Sequence, residues 1–228
     1  MNHLSKVVKK SHSTLSTQFK HSVSTKLSRH IAKYMLINEA TCDLQDIMDN
    51  WVKQYDKLSG GQMRQLRGES IEKFVINLIN KIGRDLNQNI FAIKGDHDKK
   101  ILTCVTDNGD IIQHHQVDVH VYRDDKFVAA IECKAYLDKC YYTRACDDFT
   151  LFKKFDYNVN NYIFAFENSI ADDALAFTNF VKDNICNKIF YMVDGKRSSV
   201  KPIYCKEYAK KVNRTCIIKF INTFDASC

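Results

Sequence analysis

Apolar residues recur at a helical spacing along the first part of the chain. Between residues 13 and 37 they stand every four positions, at Leu15, Phe19, Val23, Leu27, Ile31 and Met35. This spacing predicts a helix over 13–37 whose apolar stripe winds slowly around the axis, because one turn takes about 3.6 residues. A second helix is predicted over 43–57, and a third, with a well-defined apolar face, over 68–87. Ser59-Gly60-Gly61 breaks the pattern and is the predicted seam of the chain.

Farther along, short apolar runs alternate with polar turns, and such runs predict strands. They cover residues 91–93, 101–105, 117–122, 127–136, 161–167, 188–193 and 216–220. The runs 117–122 and 127–136 are joined across Asp124-Asp125-Lys126 and predict a hairpin. Residues 138–155 are predicted to form a loop plus a helix, and residues 171–183 a helix. This order of elements predicts an α/β fold in which helices flank a central mixed β-sheet.

Positive charge is concentrated at the N-terminus. The chain has 228 residues and a net charge of +7, and its first 38 residues hold seven Lys or Arg and no acidic residue. The pattern predicts a basic helical arm over 1–60 and a core over 61–228. Such an arm suits a polyanion, nucleic acid before membrane. A solvated helix face and a transit peptide are the alternatives for the same segment.

The apolar runs and the cysteines indicate the environment of the protein. No run approaches the roughly 20 apolar residues that a membrane span needs, so a soluble protein is expected. The nine cysteines are an odd number and include no CxxC pair. Because no signal-peptide pattern is present either, a cytoplasmic and reducing environment is expected.

Charged residues interrupt the second hairpin strand where it is otherwise apolar. Glu132 and Lys134 stand two positions apart and therefore share one face of the strand. Burying an acid and an amine there is costly unless the site requires charge. The first hairpin strand carries an acid of its own, Asp118. If residues 124–126 form a three-residue loop, Asp118 lies directly opposite Glu132, with Cβ atoms about 5 Å apart. A two-residue turn would give the same neighbours only if a bulge restored the phase.

Two carboxylates this close repel each other unless a cation lies between them. A hard divalent ion such as Mg²⁺, held by oxygen atoms, fits such a pair. The pattern therefore predicts a metal site on the hairpin. A salt-bridged group on an ordinary sheet is the alternative interpretation.

The spacing of these residues resembles the signature of a known family. Asp118, thirteen intervening residues and Glu132-Cys133-Lys134 are similar to the PD-(D/E)XK pattern of type II restriction endonucleases and related resolvases. Val117 stands where the family pattern writes Pro. The resemblance covers about residues 64–195.

A helix that precedes the signature in that family often carries a further glutamate. The family pattern is Gly-x-x-x-Glu, which Gly68 and Glu72 match in this chain. Glu69 lies in the same helix and is the rival candidate.

The resemblance implies a restriction-endonuclease-like fold and Mg²⁺-dependent, site-specific hydrolysis of double-stranded DNA that leaves 5′-phosphate and 3′-hydroxyl ends. Asp118, Glu132 and the backbone carbonyl of Cys133 would hold the metal. Lys134 would position the attacking water and stabilise charge on phosphorus. Glu72 would reach the metal shell through water. A homodimer is expected, because cutting both strands needs two active sites.

Two groups of residues are candidate contacts to DNA. The first follows the predicted catalytic strand and comprises Arg144, Tyr141 and Tyr142. Arg commonly recognises guanine through two hydrogen bonds. The second is a basic loop suited to phosphate and comprises Lys196, Arg197 and Lys201. Plain surface is the alternative interpretation of both groups.

Two other functions stay open at this point. One is a structure-specific or repair nuclease of the same superfamily. The other is a non-catalytic DNA-binding protein that uses the basic arm. The intact set of two acids and a lysine favours an enzyme over the binding protein.

Overall fold

The computed structural model describes residues 4–95, 101–105, 111–154, 158–171, 174, 185–197 and 210–225. For residues 4–24, 101–105, 111–115 and 154 it describes the backbone alone. The described helices are α1 (Leu4–Gln54), α2 (Gly60–Asp85), α3 (Lys139–Lys154) and α4 (Arg214–Phe224). The described strands are β1 (Ile90–Lys94), β2 (Ile101–Val105), β3 (Ile111–His115), β4 (Val119–Arg123), β5 (Lys126–Leu137), β6 (Asn160–Asn168) and β7 (Lys188–Tyr191).

Five strands form one mixed sheet in the order β1-β4-β5-β6-β7. Strands β1, β4 and β5 are antiparallel neighbours, whereas β5, β6 and β7 run parallel. The predicted α/β fold with a central mixed sheet is confirmed, and it is consistent with a restriction-endonuclease-like architecture. Strand β2 pairs with β3 in a separate two-stranded sheet. The sequence pattern does not predict β3, because only its first two residues are aliphatic.

Helix α1 is one continuous helix where the sequence predicts two, so the predicted interruption between 37 and 43 is wrong. Residues 38–42 contain neither Gly nor Pro, and nothing in them stops the helix. One face of its C-terminal half is buried: Leu36, Ala40, Leu44, Met48 and Trp51. This half of α1 therefore packs on the same core as α2. The boundary between arm and core at residue 60 stays a prediction.

Helix α2 begins at Gly60 rather than at the predicted residue 68. The Ser59 side chain accepts a hydrogen bond from the Gln62 N–H at 3.3 Å, and the Gln62 side chain accepts one from the Ser59 N–H at 3.0 Å. This reciprocal capping box satisfies two backbone donors at the helix start. Gly60 and Gly61 consequently lie in the first turn of α2 instead of in a loop.

The core lies on both faces of the large sheet, because successive strand residues point to opposite sides. On one face α1, α2 and α4 cover Val119, Ile131 and Phe164. On the other face α3 covers Ala130 and Ile163. Glu132 and Lys134 continue the alternation of Ala130 and therefore lie on the side of the sheet that α3 covers.

The predicted strand 216–220 is wrong, since these residues belong to α4. The buried positions of α4 are Ile217, Phe220, Ile221 and Phe224. Their spacing of three and four residues buries one side of a helix, which a short apolar run does not distinguish from a strand. The Asn213 side chain caps the helix by accepting a hydrogen bond from the Cys216 N–H at 2.9 Å.

Helix α3 begins directly after β5, so residues 139–154 are helical where a loop plus helix is predicted. The Asp138 side chain accepts a hydrogen bond from the Tyr141 N–H at 2.8 Å and starts the helix. The predicted helix 171–183 lies outside the described residues except at 171 and 174. In the described parts of the chain, none of the helices has the length and apolarity to cross a membrane.

Candidate active site

The hairpin that carries the candidate site turns more tightly than predicted. Arg123 pairs with Lys126, so the turn has two residues, Asp124 and Asp125, and the predicted three-residue loop is wrong. Both aspartates have positive φ, 48° and 58°, as a two-residue hairpin turn requires at its central positions. The Asn89 side chain donates a hydrogen bond to the Asp124 carboxylate at 3.0 Å and supports this conformation.

A β-bulge restores the register that the shorter turn would shift. Tyr122 pairs with Phe127, but Val121 pairs with Ala129, so β5 carries one extra residue at this point. Beyond the bulge Val119 pairs with Ile131. One residue farther from the turn, Asp118 stands opposite Glu132, and the two side chains therefore project from the same face.

The structure brings Asp118, Glu132 and Lys134 into one group. The Lys134 ammonium forms an ion pair with the Glu132 carboxylate, and its Nζ lies 3.4 Å from Asp118 Oδ2. Asp118 Oδ2 also accepts a hydrogen bond from the backbone N–H of Cys133 at 2.7 Å. The Glu132 side chain is 7% exposed and that of Asp118 is 28% exposed. Glu132 is thus the buried carboxylate of the site and Asp118 the more exposed one.

The charges of this group are not balanced. Burial and the nearby Asp118 raise the pKa of Glu132 to about 7, although Lys134 works in the opposite direction. Asp148 of α3 adds to the rise in the pKa of Glu132. Burial tends to lower the pKa of Lys134, but Glu132 and Asp118 together hold it above its ordinary value. The site therefore has a protonated lysine and an excess of carboxylates that a further cation would stabilise.

The donor atoms suit a hard divalent ion better than zinc. Asp118 and Glu132 offer carboxylate oxygens, and Mg²⁺ is commonly held by one or two carboxylates while it keeps several waters. Among the residues that the structure describes, no three His, Cys, Asp or Glu side chains are grouped to hold a metal by themselves. Burial raises the pKa of the Cys133 thiol well above its ordinary value, which disfavours the thiolate that binds zinc.

The end of β1 holds Asp118 in place. The Gly95 N–H donates a hydrogen bond to the backbone oxygen of Asp118 at 3.1 Å. A Cβ at position 95 would lie 1.8 Å from the backbone oxygen of Val117, so only glycine permits this approach. The sequence pattern does not single out Gly95, because a glycine after a short strand is an ordinary turn signal.

Glu72 and Glu69 of α2 differ in their partners. The Glu72 carboxylate pairs with Lys94 Nζ at 2.9 Å, and Lys94 is the partner of Val119 in the sheet. Glu69 is exposed and accepts a hydrogen bond from the Gln65 side chain at 2.8 Å. Glu72 also contributes to the raised pKa of Cys133. Glu72 therefore lies near Lys94 and Cys133, and its role in the site stays a prediction.

Lys94 is a charged neighbour of the site that sequence reasoning missed. The predicted strand ends at residue 93, whereas β1 includes Lys94. Hydrogen bonding to Glu72 raises the pKa of Lys94, and the charge of Asp118 adds to the rise. Extending the apolar–polar alternation of β1 by one residue would have found it.

The candidate DNA contacts near α3 differ in exposure. Arg144 is exposed on the helix surface. Tyr141 is half-buried and packs edge-on against Tyr136, with ring centroids 5.2 Å apart. Tyr142 is fully buried in the core under α3. A buried ring has no surface to offer DNA, so Tyr142 is withdrawn as a DNA contact.

The second basic group lies beyond β7. Lys196 is exposed. The Arg197 guanidinium carbon lies 3.7 Å above the centre of the Tyr136 ring, which places Arg197 beside the end of β5. Lys201 lies outside the described residues.

The chain is distantly similar to a known restriction enzyme. It is 29% identical over 106 residues to the type II restriction enzyme DdeI of Desulfomicrobium norvegicum, a match that covers 41% of this chain and 44% of that protein. The chain thus matches less than half the length of this relative. No family model matches the sequence. The similarity supports a restriction-endonuclease-like relationship and a nuclease-like function.

Proposed function

We propose that this protein is a Mg²⁺-dependent, site-specific endonuclease that cuts double-stranded DNA as type II restriction enzymes do. The observation that carries the proposal is the meeting of Asp118, Glu132 and Lys134 on one face of a bulged hairpin. The distant similarity to a restriction enzyme supports the same class of chemistry.

The two carboxylates are proposed to bind the metal. Asp118 and Glu132 present hard oxygen atoms, and the backbone carbonyl of Cys133 lies between Glu132 and Lys134 in sequence. Mg²⁺ supplies Lewis acidity toward a phosphoryl oxygen when it is bound. Glu72, which pairs with Lys94, is proposed to orient water around the metal site.

Lys134 is proposed to act as a permanent positive charge rather than as a base. Its carboxylate neighbours hold its pKa above the ordinary value, so the ammonium keeps its proton at neutral pH. An ammonium in this position orients the attacking water and stabilises the negative charge that develops on the phosphate. Water adds to phosphorus and releases a proton to solvent, the bond to the 3′ oxygen breaks, and that oxygen takes up a proton from solvent. The products are a 5′-phosphate and a 3′-hydroxyl.

DNA contacts are proposed from the exposed cations around the site. Arg144, Lys196 and Arg197 are candidates, with Tyr141 beside them. The N-terminal segment 1–60 is proposed as a basic arm that adds phosphate contacts. A homodimer is proposed because two strands require two active sites.

The decisive experiment compares the parent protein with Lys134→Ala on plasmid DNA in Mg²⁺. We expect the variant to lose cleavage by about 10²–10³-fold, the effect of removing one group that stabilises transition-state charge. Lys126→Ala is the matched control, because Lys126 is an exposed lysine at the start of the same strand. DNA binding should stay within a few-fold of the parent, since Lys134 acts on the transition state.

The pattern of products distinguishes the candidate functions. Discrete fragments from the parent support a site-specific enzyme, whereas scattered nicks support a structure-specific or repair nuclease. Binding without cleavage in Mg²⁺ would overturn the enzymatic proposal. A Lys134→Ala variant that cuts at the parent rate would remove this strand from the mechanism.

A further inference from the structure

A cleft of about 410 Å³ lies beside the candidate active site, between the first half of α2 and the last part of β5. Helix α2 contributes Gly60, Arg64, Arg67 and Gly68 to its wall. Strand β5 contributes residues 133–136, and Lys134 is therefore shared between the cleft and the catalytic group. The volume falls within the range of about 300–1,000 Å³ that is usual for small-ligand sites.

The cleft is strongly basic. Arg64 and Arg67 stand three positions apart on α2 and so project from the same side of the helix. Arg197 enters from the segment after β7. No Asp or Glu of the described residues lines the cleft. Three guanidinium groups converging on one space favour an anion there, and their planar forks match the oxygens of a phosphate.

Glycine keeps the helix wall open beside the arginines. A Cβ at Gly68 would meet nothing within 4 Å, so the space in front of this residue is empty. A glycine inside a helix costs about 1 kcal/mol relative to alanine, and packing does not require it at this position. Gly60, about two turns earlier, also lines the cleft. The open face is therefore a feature of the cleft rather than of the core.

Arg197 is held in the cleft by its surroundings. Its guanidinium stacks over Tyr136, and its Nε lies 3.9 Å from the buried carboxylate of Glu167. The other oxygen of Glu167 pairs with Lys210 at 2.8 Å. The backbone N–H of Arg197 donates to the Asn168 oxygen at 2.7 Å. A cation fixed before the ligand arrives loses little side-chain entropy on binding.

We propose that this cleft binds a backbone phosphate of the nucleic-acid strand, next to the phosphate that is cut. The proposal rests on the proposed nuclease function. Lys134 forms the boundary between the cleft and the two carboxylates, so a strand whose scissile phosphate lies at Lys134 continues into the cleft. Arg64 and Arg67 bind that phosphate together with Arg197. Contacts of this kind position the strand and do not depend on base sequence.

The test is the salt dependence of DNA binding by the double variant Arg64→Gln/Arg67→Gln. Binding of a fluorescent duplex oligonucleotide is measured by anisotropy in Ca²⁺ over a series of salt concentrations. Because the two arginines bind one phosphate, their loss should lower the slope of log K against log salt by about 0.9. Arg84→Gln is the matched control, because Arg84 is exposed near the other end of α2, outside the cleft. Its slope should equal that of the parent.

A second variant blocks the cleft without changing its charge. Gly68→Leu places a side chain in the empty space and replaces glycine with a better helix former, so the fold is retained. We expect DNA binding to weaken by about tenfold while the melting temperature is unchanged or higher. Ten-fold corresponds to about 1.4 kcal/mol. Gly61→Leu, at an exposed position outside the cleft lining, is its control.

The outcomes separate this proposal from the nuclease proposal. If the parent cuts DNA but the double variant binds with the parent slope, the cleft proposal is wrong and the nuclease proposal stands. If the parent binds without cutting and the double variant loses slope, the cleft is a phosphate site and the nuclease proposal falls. A parent that neither binds nor cuts overturns both.

Discussion

Two groups of carboxylates and cations in this protein have opposite charge balance. At the candidate active site, two carboxylates, Asp118 and Glu132, share the ammonium of Lys134. At the junction of α1 and α4, the single carboxylate of Asp225 pairs with both Arg29 and Lys33. The first group carries excess negative charge and the second excess positive charge.

In the group around Asp225, both carboxylate oxygens have cationic partners. Asp225 is 2% exposed in its side chain, and Lys33 Nζ lies 3.0 Å from its Oδ2. The Gln88 side chain donates a further hydrogen bond to Oδ1 at 2.6 Å. Arg29 donates both to Asp225 and to the backbone oxygen of Leu86. This group ties α1 to the ends of α2 and α4 and needs no further ligand.

The group around Glu132, by contrast, has two carboxylates for one ammonium. The raised pKa of Glu132 shows that its single lysine does not offset burial and the charge of Asp118. A folded protein tolerates such an imbalance when a ligand corrects it. The comparison teaches that a count of charges, rather than burial alone, distinguishes the proposed metal site from a structural ion pair.

The largest expected effect is the loss of cleavage in Asp118→Asn and Glu132→Gln. Each substitution removes a proposed metal ligand while keeping the shape of the side chain. Because the metal supplies several kcal/mol of transition-state stabilisation, we expect the rate to fall by roughly 10³-fold or more. Plasmid cleavage in Mg²⁺ measures it, and chelator should abolish cleavage by the parent. Parent activity in excess chelator would show that the acids do not serve a metal.

Asp225→Ala should have the next largest effect, on stability instead of cleavage. Removing the carboxylate leaves Arg29 and Lys33 without their shared anion at a partly buried position. We expect the free energy of unfolding to fall by about 3 kcal/mol, measured by urea denaturation. The folded fraction should still cut DNA. The exposed Asp56→Ala is the control and should change stability by less than about 0.5 kcal/mol. Loss of cleavage in a fully folded Asp225→Ala would contradict the structural role.

Gly95→Ala tests how tightly Asp118 is placed. The added Cβ collides with the backbone oxygen of Val117 and displaces the segment that carries Asp118. Because a misplacement of about 1 Å can cost a hundredfold in rate, we expect cleavage to fall by about tenfold to a hundredfold. Gly61→Ala, where a Cβ meets nothing within 4 Å, is the control. Equal cleavage rates in the two variants would show that position 95 tolerates the collision.

The smallest expected effect concerns the N-terminal segment and DNA binding alone. Deleting residues 1–24 removes Lys6, Lys9, Lys10 and Lys20 but keeps Arg29 and Lys33 on Asp225. If two of the four lysines contact phosphate, the slope of log K against log salt falls by about 1.8. The melting temperature should stay close to that of the parent. An unchanged salt slope in the folded truncation would show that the segment does not touch DNA.

Deletion of residues 1–38 is expected to behave differently from the shorter truncation. It removes both cationic partners of Asp225 and the buried residues Leu36 and Ile37. We therefore expect it to unfold or aggregate, as circular dichroism and size exclusion would show. Two deletions thus separate the part of α1 that packs from the part that is proposed to bind DNA.

The spacing of apolar residues correctly predicted the helices and strands that bury an apolar face. The apolar stripe of α2 and the apolar runs of β5 and β6 each have a face that packs on the core. The prediction failed for residues 216–220, because a short apolar run fits one side of a helix as well as a strand. It also separated α1 into two helices where no helix-breaking residue is present.

In the hairpin, the sequence predicted the correct neighbours, Asp118 and Glu132, although it predicted the wrong turn. A three-residue loop and a two-residue turn with one bulge both set Asp118 beside Glu132. The sequence does not distinguish them, because Asp124-Asp125 lacks the glycine that commonly marks a two-residue turn. The need to keep the apolar residues of both strands in the core selects the register.

By itself the sequence determined that Glu132 and Lys134 share a face of one strand and that an acid precedes them on its hairpin partner. That follows from the two-residue period of a strand, which is a local property. Only the tertiary structure decided that Glu72 rather than Glu69 pairs with Lys94 and that Tyr142 is buried. It also decided that Arg29 and Lys33 neutralise Asp225. These outcomes depend on how distant segments pack, because an ion pair forms between side chains that the fold brings together from far apart in the chain.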